Sequence, residues 1–84
     1  MSNIHKVKKG MAEALELTVD EAMSGLKGKC ISDLDLTGDI TIPCIQREEE
    51  VLMAHGTTEI NAGDHLIVFY KSKEDLDIFY NKAR

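Results

Sequence analysis

Cysteine occurs twice and proline once in these 84 residues, basic groups are scarce, and no long apolar run is present. Cys30 and Cys44 lie too far apart for a CxxC pair and fit no Cys/His zinc spacing, so neither a zinc module nor a disulfide scaffold is indicated. Both are expected to be reduced and packed as small apolar groups. Ten Lys and Arg face fifteen Asp and Glu, a net charge of −5, which argues against a nucleic-acid binder because phosphate neutralisation needs a basic face. The longest apolar run, residues 66–70, is far short of the roughly 18 residues of a membrane span. No charged-then-apolar leader opens the chain. A soluble, cytosolic piece is the expectation, with 43% apolar and 30% charged residues fitting a single small globular domain.

The catalytic motifs are missing as well. No GxSxG surrounds Ser24, Ser32 or Ser72, and neither a phosphate loop nor GxGxxG occurs. Residues 25–29 are Gly- and Lys-containing but match neither spacing, and read as a turn entering a helix. His5, His55 and His65 show no metal spacing. The triplet Glu48, Glu49 and Glu50 reads first as a solvated turn, although hard cations do favour carboxylate clusters. No enzyme and no metal site is expected. A core this small leans on a partner surface, so a dimer or a parent chain is expected.

What is present is organised in two parts. Residues 1–10 hold Lys6, Lys8 and Lys9 and no acid, whereas residues 11–84 hold seven basic and fifteen acidic groups. The first ten therefore read as a basic lead-in, either an expression remnant or frayed terminus or else a linker from a preceding domain or the cytoplasmic flank of a membrane segment, and 11–84 as the domain. Within it, Leu15, Leu17 and Val19 alternate with polar residues, predicting a strand over 12–19. Residues 29–36 suit one or two helical turns, stopped at Thr37-Gly38-Asp39. Residues 40–47 predict a strand apolar on both faces, with Pro43 demanding an edge position or a bulge. Glu48 to Glu50 form a charged turn and 51–54 a returning strand. Residues 57–63 connect, anchored by Ile60, and Asn61-Ala62-Gly63-Asp64 predicts a tight turn with Gly63 free to take positive φ. Residues 65–70 form a strand dense in β-branched and aromatic groups. Ser72 with Asp75 predicts a capped helix whose core stripe is Leu76, Phe79, Tyr80 and Ala83. The order β-α-β-β-β-α gives an α+β domain with a mainly antiparallel sheet.

One constellation points to a ligand. Arg47 closes the strand before the acidic turn and His55 follows the strand after it. A guanidinium offers a planar fork of donors for phosphate or carboxylate, and Ile40, Ile42, Ile45 and Met53 supply apolar surface for a planar ring. The competing reading makes Arg47 a counter-charge to the glutamates and the isoleucines core or dimer interface.

The ordered segments resemble a known family. Gly28-Lys29-Cys30-Ile31-Ser32-Asp33-Leu34-Asp35-Leu36 is similar to the G-K-x-L/I-x-E/D-L-x-L segment of RCK C-terminal domains, also called TrkA-C domains. Residues 40–47 resemble its strand ending in I-x-R. Residues 56–66 resemble its G-x-T-x-I/L-x-x-G-D-x-L segment, and Glu74-Asp75-Leu76 its last helix opening. The likeness covers roughly residues 12–82. It departs at Ala54, where the family commonly has Pro, and at the glutamate turn, where Gly or Asp is usual. The resemblance implies a dimeric, cytosolic regulatory domain at the inner face of the membrane, attached to a potassium or other ion transporter or channel. It implies that a small ligand at the dimer interface biases the attached gate. Some members bind cyclic di-AMP between subunits. On that pattern Arg47 would meet a phosphate, His55 a phosphate or base edge, and Ile42 and Ile45 the adenine faces. The alternative is a purely structural dimerisation module of a transport protein, without a ligand site.

Overall fold

In the computed structural model of the chain, residues 2–6, 12–36 and 39–84 are described. Five strands, β1 (Ser2–Lys6), β2 (Glu13–Thr18), β3 (Thr41–Arg47), β4 (Glu50–Met53) and β5 (His65–Tyr70), are followed by one helix, α1 (Lys73–Ala83). The strands form one sheet in the order β1-β2-β5-β3-β4, and every pairing is antiparallel. The α+β class with an antiparallel sheet is therefore as expected. The short helix between the first and second core strands is a single 3₁₀ turn, Ile31–Leu34, closed by Asp35 in the left-handed region at φ 48°. The stop expected at Thr37-Gly38 lies outside the described residues.

The ends of β2, β3 and β4 differ from the sequence reading by single residues, and two differences change the layout. Part of the lead-in, Ser2–Lys6, is strand β1 and pairs along β2; with Ile4 as its one large apolar residue it carries no alternation from which a strand could be read. Glu50 belongs to β4 and pairs with Arg47, which leaves a two-residue turn, Glu48-Glu49. Glu48 sits at φ 56°. Positive φ at the first central residue of such a turn is a place glycine fills at least cost.

The core lies on one face of the sheet. Leu15 and Leu17 of β2 pair with Val68 and Leu66 of β5, and all four are buried. The β3 ladder slips between Thr41 and Cys44. That bulge spans Pro43, which has no N–H to donate, and it is why Ile42 and Ile45, three positions apart, are both buried. Helix α1 covers this face with Phe79 and Ala83, while Leu76 packs at its margin. Its start is fixed as predicted: the Ser72 hydroxyl accepts from Asp75 N–H, and the Asp75 carboxylate accepts from Ser72 N–H. Its end rests on Gly25, whose N–H donates to the Ala83 carbonyl. A Cβ on Gly25 would overlap the Lys82 carbonyl oxygen, so only glycine lets the loop touch the helix end.

The opposite face of the sheet has no covering element among the described residues. It presents Phe69, Ile67, Cys44 and Met53, with Val51 beside them. Val51 and Met53 are 68% and 67% exposed and Phe69 is 40% exposed. Among the described residues no helix is long and apolar enough to cross a membrane.

Candidate functional site

Arg47 is the last residue of β3, on the same face as Ile45, and its side chain runs past the sheet end to the 61–64 turn. Nε donates to Asp64 Oδ1 at 2.9 Å, and Nη2 donates to Asp64 Oδ2 and to the Glu59 carbonyl, both at 2.8 Å. Asp64 is 1% exposed and also accepts from the Asn61 N–H at 2.8 Å. Its backbone carbonyl takes the Val19 N–H, and Gly63 N–H donates back to the Val19 carbonyl. Gly63 holds φ 92°, the expected left-handed position that lets the chain turn sharply enough to aim Asp64 inward. The Arg47 and Asp64 side chains thus tie the end of β3 to the start of β5, and backbone hydrogen bonds of the same turn tie in the end of β2.

Burial alone would raise the Asp64 pKa. The Arg47 hydrogen bonds, the Asn61 N–H and the charges of Arg47 and His65 overcome it and hold the carboxyl below its ordinary value. The same hydrogen bond, against some desolvation, raises the Arg47 guanidinium, helped by the charges of Asp64, Glu59 and Glu48. Beside the pair a cleft of about 200 Å³ is lined by Arg47, Glu48 and residues 61–64. A second groove of about 330 Å³ lies at the end of α1, lined by Asp20, Ala22, Met23, Tyr80, Ala83 and Arg84. Tyr80, which the helical stripe placed in the core, lines this groove and is 36% exposed. Among the described residues no group of three or more His, Cys, Asp or Glu could hold a metal ion. Both cysteines are free.

The four residues singled out from the sequence are distributed as follows. Ile42 and Ile45 are 5% and 0% exposed, within the core on the covered face. Arg47 stands at the turn end of the β3–β4 hairpin. His55 is exposed at the other end, its N–H donating to Thr58 Oγ1. The hairpin register, Arg47 opposite Glu50 and Ala54 N–H donating to Pro43, places His55 level with Ile42. That separates it from Arg47 by five strand positions, roughly 16 Å. One subunit therefore does not gather Arg47 and His55 around a single small group. Of the four apolar residues proposed as a ring platform, Met53 alone is exposed; Ile40, Ile42 and Ile45 are buried.

Sequence reasoning missed two features. The Asp64 partnership was not read, because a contact across 17 positions leaves no local pattern. The open apolar face had a signal. Residues 66–70 are apolar without alternation, and a strand of that kind is covered on both faces, whereas α1 supplies one cover.

Comparison with known proteins gives four matches. The family model of the TrkA-C domain matches residues 14–81. The Trk system potassium uptake protein TrkA of Halomonas elongata is 38% identical over 73 residues, 84% of this chain and 16% of that protein. The protein of the same name from Vibrio alginolyticus is 39% identical over 74 residues, 86% of this chain and 16% of its own length. The chain thus spans about a sixth of the curated relatives it matches. A solved RCK domain with cda aligns with a TM-score of 0.65 at 25% identity, covering 84% of this chain and 97% of that one.

Proposed function

Because this chain belongs to the TrkA-C domain family, we propose that it is a cytoplasmic regulatory domain of an ion-transport system, potassium being the ion its relatives' names give. It works by binding rather than by catalysis. Two copies pair through the open face of the sheet, and a small ligand bound near the paired hairpins favours one arrangement of the pair over another. That difference in affinity is what a ligand needs in order to move an attached gate.

The observation that carries this reading is the uncovered apolar face. Val51, Met53 and Phe69 stand exposed together on strands whose other side is a closed core, and contiguous apolar surface of this kind marks an interaction site. Pairing also answers the separation of Arg47 and His55, since two subunits can bring different hairpin ends to one ligand. Cyclic di-AMP is the ligand to try first: the RCK domain with cda shares this fold.

A second reading keeps the pairing and drops the ligand. It is favoured by the Arg47 side chain, whose fork is already occupied by Asp64 and which has Glu48, Glu49, Glu50 and Glu59 as neighbours in fold or sequence. Calorimetric titration with cyclic di-AMP beside light scattering separates the two. Scattering at the mass of two chains with one nucleotide per pair supports the sensor. Two chains without heat supports the structural module, and a single chain without heat contradicts both.

A further inference from the structure

Arginine has five N–H donors, and two edges, Nε with one Nη and the two Nη together, can grip an oxyanion in parallel. In Arg47 the first edge is taken and the second is half taken. Nε and Nη2 hold the two oxygens of Asp64 at 2.9 and 2.8 Å, and Nη2 also holds the Glu59 carbonyl. Only Nη1 has no hydrogen-bond partner among the described residues. Asp64 cannot easily turn to another cation, since it is 1% exposed and its further side-chain partner is the Asn61 N–H. A buried carboxylate deprived of its guanidinium is strongly unfavourable, so the contact resists being opened.

We infer that Asp64 is an internal competitor for Arg47: it occupies the fork that an anionic ligand would use and so sets how weakly the site beside the 61–64 turn holds an anion. The inference rests on the proposed reading in which Arg47 meets a ligand phosphate, and adds what regulates that contact. A phosphate reaching Arg47 meets Nη1 in a cleft that Glu48 also lines, or it must displace Asp64. Both routes place a second anion within a few ångströms of the first, where like charges at a protein surface repel appreciably.

The competitor makes an unusual pair of expectations. Asp64→Asn keeps the size of the side chain and removes its charge. The variant should unfold at lower temperature yet bind cyclic di-AMP about tenfold more tightly or better. A residue that only supports the fold would lose stability and affinity together.

The test titrates wild type and Asp64→Asn with cyclic di-AMP by calorimetry, alongside thermal unfolding. Tighter binding by the less stable variant supports the inference. Equal or weaker binding by a folded variant overturns it while leaving the nucleotide reading intact. Binding by the variant alone supports the competitor and removes the nucleotide as the wild-type ligand; binding by neither overturns both. Should Asp64→Asn fail to fold, the wild type decides. Arg47 and Arg84 are the two arginines in the chain, so side-chain Nε–Hε NMR signals are readily assigned. A shift of the Arg47 Nε–Hε signal as nucleotide is added supports exchange of Asp64 for a phosphate at that edge. Nucleotide binding that leaves the Arg47 side-chain signals unshifted overturns the inference.

Discussion

The two faces of the sheet are made from the same strands and behave oppositely. Beneath α1, Leu15, Leu17, Leu66, Val68, Ile42 and Ile45 form one buried cluster with Phe79 and are closed to solvent. On the other side Phe69, Met53 and Val51 remain open. The apolar character is similar, so composition does not separate the core from the open face; a covering element does. Burial of apolar surface contributes about 25 cal/mol per Å², and the open face holds that contribution in reserve for whatever docks on it. Stability should therefore follow the covered face, and assembly the open one.

The sharpest way to break this contrast is Phe79→Ala. The ring is fully buried between α1 and the sheet, and its removal should cost about 3–5 kcal/mol, measured by urea unfolding. A cost below 1 kcal/mol would mean that α1 is not the lid it is taken to be.

Next comes Arg47→Ala, which leaves Asp64 buried and without its cation. Because Arg47 is partly open to water, the cost should be about 2–3 kcal/mol at neutral pH, below the range for a fully buried pair. The sign with pH follows from the lowered Asp64 pKa. Such a carboxylate stabilises the fold above its unfolded value, near 4, and that contribution fades as pH falls through its lower folded value. The gap between wild type and variant should accordingly narrow on acidification, as read by unfolding at about pH 7 and about pH 3. A gap that widened towards acid would contradict the ion-pair account. The same result warns that loss of ligand binding in Arg47→Ala alone does not locate a ligand, since the fold itself is weakened.

Glu48→Gly should act in the opposite direction. A non-glycine residue at φ 56° is strained by roughly 1 kcal/mol, and glycine's greater unfolded-state freedom offsets part of the relief. A gain of about 0.5 kcal/mol in thermal unfolding is expected; a loss would show that Glu48 makes a contact worth more than its strain.

Much of this fold could be read from the sequence where the signal is local. Strand β5 has the bounds predicted, Ser72 and Asp75 cap α1 reciprocally, and Pro43 marks a bulge. What could not be read was non-local. The bulge turns Ile42 and Ile45 to the same side, so simple alternation does not show that both enter the core. The partner of Arg47 lies 17 positions away, and β1 gains its place only by pairing with β2. Of the site, Arg47 and the Gly63-Asp64 turn were both visible, but their union was not, and the separation of Arg47 from His55 required the hairpin register.

The smallest expected change in monomer stability belongs to the open face, and it tests the central claim most directly. Met53→Ser combined with Val51→Thr should shift unfolding of the isolated chain by no more than about 0.5 kcal/mol, since both side chains are two-thirds exposed. Sedimentation equilibrium of wild type and of this double variant should give two chains for the first and one for the second at the same concentration. Two chains in both, with equal affinity, would contradict the assignment of the open sheet face as the surface on which copies pair.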